Sequence, residues 1–185
     1  MKPGELLKAL LSVVLFAQIA FSAEPVRDLK VFEAEIGTWK RVMELDQDDP
    51  DLGKKGTQVE TVMSKTWGPG RKFIVRRYTS HANGKQRDGV WFMTGIDPHA
   101  NQAVTHGFWP DGSYSTVRWF HDSTNKKKRM AQGQKTGANG FESIQFSLER
   151  KDEDTQIVRV GVSVFNGEIL DSEKISHVWR RVEKK

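Results

Sequence analysis

Cysteine is absent from the 185 residues. That excludes disulfides, thiolate metal sites, cysteine nucleophiles and a lipobox lipid anchor, so an exported form must be held together by its core alone. An apolar run long enough to span a bilayer is also missing. The uncharged stretch 9–23 falls short of the ~20 apolar residues a transmembrane helix needs. Charge of one sign is only weakly in excess, with a formal net charge of +5 and acidic stretches mixed in. Such a balance supports solubility and does not argue for a nucleic-acid partner. There is no Walker loop, no dinucleotide fingerprint and no G-x-S-x-G elbow.

What is present begins with an export signal. Lys2 and Lys8 make the N-terminus basic, although Glu5 sits among them. The uncharged, mostly apolar stretch 9–23 follows, and Ala20 and Ser22 suit the −3 and −1 positions of a signal-peptidase site. The expectation is a leader over 1–22 and a single domain over 23–185, periplasmic or secreted, with no transmembrane segment in the mature chain. The alternative is an uncleaved N-terminal anchor.

Hydrophobic periodicity then sets the fold class. Leu29, Phe32 and Ile36 recur at helical spacing between Asp28, a possible cap, and Gly37, a terminator. Beyond Gly37 the period shifts toward two. Strands are expected over 38–45, 57–67, 73–79, 90–96, 102–109, 113–120, 129–134, 141–149, 156–165 and 169–182. The stretch 57–67 places Val59, Thr61, Met63, Lys65 and Trp67 on one face, and 169–182 does so for Ile175, His177 and Trp179. Gly68-Pro69-Gly70, Asn83-Gly84, Asp97-Pro98, Pro110-Asp111-Gly112 and Asn166-Gly167 are turn signals between them. The polar stretch 46–56 and the glycine-rich stretch 133–140 read as loops. Regular short strands with little helix predict an all-β, mainly antiparallel barrel of about eight to ten strands. Closure into an up-and-down barrel removes exposed edges. The six tryptophans and ten phenylalanines are spread along the chain, so each strand can supply a large side chain to a common core.

Gly37-Thr38-Trp39, placed after the only helix and at the start of the first strand, resembles the G-x-W signature of lipocalin-like (calycin) barrels. Gly95-Ile96-Asp97-Pro98 and Trp109-Pro110-Asp111-Gly112 are similar to landmarks of a bacterial exported lipocalin-like family of unknown function. The resemblance covers roughly Leu29 to Arg181. It implies a lipocalin-like barrel in which Gly37 and Trp39 are structural, with Trp39 plugging one end. The chain departs from lipocalins in lacking disulfides. It departs from haem-binding nitrobindin-type barrels in having no glycine-rich run after Trp39, so no cofactor is implied.

The remaining motifs are weighed by their chemistry. The five histidines, His81, His99, His106, His121 and His177, show no zinc-ligand spacing. The acidic run from Asp46 to Asp51 fails the calcium-loop pattern, because Asp51 and Thr57 stand where Gly and Glu are needed. Lys126-Lys127-Lys128-Arg129 is a basic run in an expected turn, suited to phosphates or to discouraging edge pairing. Polar groups inside strands stand out, since an interior charge is costly unless paired. Alternation turns one of Arg76 and Arg77 inward.

The expected function is binding of a small, partly apolar and anionic ligand inside the barrel. Trp67, Trp109 and Trp119 are candidate walls, and Arg76, His106, Arg118 and His177 candidate polar anchors. One alternative is a non-catalytic envelope or protein-interaction module. Another is a hydrolase or isomerase using a pocket histidine. The sequence leaves the ligand and the oligomeric state open.

Overall fold

A computed structural model describes residues 23–138, 140–170 and 176–182, without the side chain of Leu170. The expected leader and Ile175 lie outside these residues. The strands are β1 (Gly37–Glu44), β2 (Gln58–Trp67), β3 (Ile74–Ala82), β4 (Lys85–Asp97), β5 (Gln102–Phe108), β6 (Tyr114–His121), β7 (Lys128–Gly137), β8 (Gly140–Arg150), β9 (Thr155–Phe165), β10 (Glu168–Leu170) and β11 (Ser176–Arg181). Each strand from β1 to β9 pairs antiparallel with the next, and β11 pairs with both β9 and β1, which closes the ring. The result is a closed antiparallel barrel of 10 strands, consistent with a lipocalin-like architecture.

Closure depends on β9. One edge lies along β8. The other edge is shared, with Thr155 to Arg159 facing β11 and Ser163 to Phe165 facing β10. The described parts of the segment expected as a strand over 169–182 both lie antiparallel along this edge. The stretch expected as a glycine-rich loop is also strand as far as Gly137. Gly133 pairs with Val117, and a Cβ there would lie 2.5 Å from the Thr116 carbonyl oxygen. The glycine marks a close approach between strands rather than a chain break.

Alternate strand connections lie at opposite ends. The loop 45–57 and the turns 83–84 and 109–113 form the mouth. The turns 68–73, 98–101, 122–127 and 151–154 surround the closed end. Residues 24–26 wedge in there, with the Val26 amide donating to the Trp119 carbonyl (3.0 Å) and the Ala103 amide donating to the Val26 carbonyl (2.6 Å). The helix lies across the same end. It runs Leu29–Glu35, and the Asp28 carboxylate accepts from the Lys30 amide as its cap. It is a 3₁₀ helix, so its buried face repeats every third residue: Leu29, Phe32 and Glu35. The α-helical spacing expected from Ile36 would have left Glu35 outside.

Glu35 therefore points into the barrel, where it meets Lys65 (Nζ to Oε2 2.6 Å) and Arg129. Lys65 also donates to Gln156 Oε1 at 3.1 Å. All four side chains are buried. Burial, then the like charges of Arg76 and Arg181, pull the Lys65 ammonium well below its usual value. Around this cluster packs an apolar core of Val26, Leu29, Phe32, Ile74, Ala103, Val117, Trp119, Ala131 and Leu148. Trp119 is edge-on to both Phe32 (5.3 Å) and Phe146 (5.6 Å) and donates to Thr105 Oγ1 at 2.8 Å.

Beside it, Trp39 is fully buried and its indole NH donates to the Glu35 carbonyl at 2.8 Å. The Arg181 guanidinium lies 4.3 Å over its ring and donates to the carbonyls of Ala34 and Ile36. Gly37 has φ +132°, and a Cβ there would stand 2.7 Å from the Arg181 Nη1. Glycine satisfies both constraints at once.

Removing the shared carboxylate leaves two buried cations unpaired. Glu35→Gln is expected to lower stability by ~3–5 kcal/mol. Glu33→Gln, on the exposed face of the same helix, is expected to change it by ~0.5 kcal/mol or less. Chemical-denaturation midpoints compare the two; equal effects would remove the ion cluster from its central place.

Candidate functional site

The closed half of the barrel is filled. Only about 10 Å³ of space remains among Phe32, Glu35, Lys65, Ile74, Arg76 and Trp119. The mouth half is different. A cavity of about 660 Å³ opens there, bounded by β1–β4, the β5–β6 turn, β9 and β11.

Its wall is a chain of aromatic rings set edge to face. Trp179 stands 5.6 Å from Tyr78, Tyr78 5.8 Å from Phe92, and Phe92 6.0 Å from Trp109. Each ring comes from a different part of the chain, and the pairing register brings them together. A bulge helps. Between Arg77 and Thr79 the register of β3 shifts against β4, so that Gly89 and Val90 lie where Tyr78 has one residue. A bulge re-aims side chains on either side of it. Val90 and Phe92 line the cavity on one side of the shift and Arg87 on the other.

Cations lie against this wall. The Arg41 guanidinium is 4.9 Å over the Trp179 ring, Arg76 is 4.4 Å over Phe92, and Lys135 Nζ is 4.0 Å over Trp109. Such stacking is favourable and holds the charge beside the apolar surface. Among the described residues, neither Arg41 nor Arg76 has an ion-pair partner, and the Nε of each is buried without a hydrogen bond. Burial draws the Arg41 guanidinium below its usual value. Two residues before Trp179 on the same face of β11, the half-buried His177 is held down to about 4 by burial first and by Arg41 second. Near pH 7 it is therefore a neutral imidazole.

The polar loop 45–57 contributes Asp51 to the rim. Leu52 folds it inward, packing with Val59 and Ala82. Asp49 accepts from the amides of Asp51 and Leu52 and pairs with Arg87 at 2.6 Å. The one signal in the sequence was the lone leucine in a polar stretch.

The candidate residues divide by position. Trp109 and His177 line the cavity, whereas Arg76, stacked on Phe92, lines the small space of the closed half. Trp119 is in the closed-end core. Trp67 packs beside that core, with Arg71 over its ring. Arg118 is exposed, as is His106, which bonds the Tyr114 hydroxyl through Nδ1 at 2.8 Å on the outer face. Arg41, Tyr78, Phe92 and Trp179 were not singled out from sequence. Trp179 and His177 share a face of 169–182, and that pattern was the available signal. Comparison with protein-family models and with curated proteins returns no match for this chain.

The His177 shift has a definite sign. The folded value lies below the unfolded 6.5, so the unfolded chain binds the proton more readily between about 4 and 6.5. Stability contributed by the neutral ring is present above pH 6.5 and is lost as pH falls through that window. His177→Gln is expected to flatten this part of the stability profile, measured as thermal midpoint against pH. An unchanged slope would show that other groups produce it.

Proposed function

We propose that this chain is an exported, lipocalin-like barrel whose mouth binds a small molecule with a flat apolar body and one anionic group. The observation that carries the reading is Arg41: a largely buried guanidinium, without an ion-pair partner among the described residues, stacked on one ring of an aromatic wall. An anion placed beside it would offset a charge that burial disfavours. The rings would cover the ligand body, and the volume lies within the ~300–1,000 Å³ of small-molecule sites.

Membership in the calycin superfamily and in the exported bacterial family belongs to the same reading. It rests on the G-x-W start and on the contacts of Trp39 and Gly37. Residues 1–22 would be removed on export to the periplasm or beyond. Intact-mass measurement after expression with a secretion-competent host is expected to give a chain starting at Ala23. A full-length mass in the membrane fraction would favour the uncleaved anchor.

The enzyme alternative calls for a pocket histidine bonded to a carboxylate. His177 has Arg41 as its charged neighbour, and among the described residues no hydrogen bond joins it to a carboxylate. The cavity's chemistry therefore favours binding.

The test is fluorescence titration with 1-anilinonaphthalene-8-sulfonate, an aromatic probe whose sulfonate stays ionised. Saturable binding at one site is expected, with near-ultraviolet circular dichroism unchanged. Arg41→Gln is expected to weaken it about tenfold, the loss of one charged contact. Non-saturable binding, or an Arg41→Gln variant of equal affinity, would reject the reading.

A further inference from the structure

A second concave site lies at the closed end, away from the mouth. It holds about 320 Å³ between the helix, the turn 122–127 and the adjoining ends of β7 and β8. Five cations line it: Lys30, Lys126, Lys127, Arg129 and Arg150. Two acids do so as well, and both are already paired, Glu35 in part with Arg129 of the lining itself. Glu33 pairs with Arg71, and Glu35 is shared between Lys65 and Arg129. Among the described residues, Lys30, Lys126, Lys127 and Arg150 have no acidic partner.

The basic turn is held in place rather than loose. The Asp122 carboxylate accepts from the amides of Thr124 and Asn125 and pairs with Lys128 at 3.1 Å. Asn125 accepts from the Lys127 amide, and the Arg150 amide donates to the Lys127 carbonyl at 2.9 Å. The last contact fixes the Lys126–Lys127 backbone beside Arg150. A site whose backbone is already ordered loses less freedom on binding.

We infer that this cleft binds a phosphate-bearing group, gripped by Arg150 and by the lysines of the 122–127 turn. Arg150 offers the planar fork that matches two phosphate oxygens, and the lysines add point charges. The charges on the two arginines repel. Arg129 is drawn down to about 10, by burial first and by Arg150 second. A bound oxyanion would offset that repulsion. The site shares no lining residue with the mouth cavity, so the two readings stand or fall separately.

The experiment is calorimetric titration of the purified protein with sodium pyrophosphate at low ionic strength. One saturable site is expected, with affinity falling as salt rises. Arg150→Gln and the exposed pair Lys126→Gln/Lys127→Gln are each expected to weaken binding at least about tenfold. Lys85→Gln, far from the cleft, is expected to change nothing. Should Arg150→Gln fail to fold by circular dichroism, the exposed double variant decides alone. Cosedimentation with phosphatidylcholine vesicles, with and without phosphatidylglycerol, separates the sources. Capture by the anionic vesicles alone, lost in the same variants, identifies a lipid headgroup. Pyrophosphate binding without capture identifies a soluble phosphate compound. Absence of both, or binding indifferent to the variants, overturns the inference.

Discussion

The carboxylate of Glu35 is the contact on which the closed end depends. It is buried, and two cations from opposite sides of the barrel, Lys65 on β2 and Arg129 on β7, converge on it. Its backbone carbonyl takes the Trp39 indole. The neighbouring carbonyls of Ala34 and Ile36 take Arg181 from β11. One short helix is thereby fastened to β1, β2, β7 and β11. A helix of seven residues has little stability of its own. Buried charges, expensive to strip of water, are tolerable here because each finds a partner. They also fix which residues face inward, since no other side chain of the helix satisfies Lys65 and Arg129 together.

That dependence explains what the sequence conveyed and what it concealed. The strands were legible because alternation is local. Val59, Thr61, Met63, Lys65 and Trp67 share the inner face of β2 as their spacing implies. The inward turn of Arg76 follows from the same rule. Glu35 was not legible, because 3₁₀ and α geometry differ by a fraction of a residue per turn and about two turns of helix do not distinguish them. The strand through Gly133 was hidden for a related reason: glycine marks loops and close backbone approaches alike, and only the partner strand tells which.

The mouth was harder to read. The rings of Tyr78, Phe92, Trp109 and Trp179 are separated by long stretches of chain and meet only through the register of β3, β4 and β11. The bulge opposite Tyr78 reverses facing on β4, and no residue type announces it beyond Gly89. Outward residues such as His106 and Arg118 carry the same chemistry as inward ones. Their placement is a matter of which strand face closes inward, which alternation alone leaves two-valued. The acidic loop became a structured rim through Leu52, a single apolar residue.

The division of the barrel into a packed half and an open half bears on how such a protein changes over time. The residues that keep it folded, Glu35, Lys65, Trp39 and Trp119, lie at one end. Of the mouth wall, Tyr78 and Trp179 pack into the cluster around Trp39, whereas Phe92 and Trp109 stand outside the apolar clusters. Mutations that reshape the mouth at Phe92 or Trp109 therefore draw lightly on a limited reserve of stability. Under the proposed binding role, descendants of this chain are free to exchange one guest molecule for another by altering Phe92 or Trp109, while the scaffold beneath them stays the same.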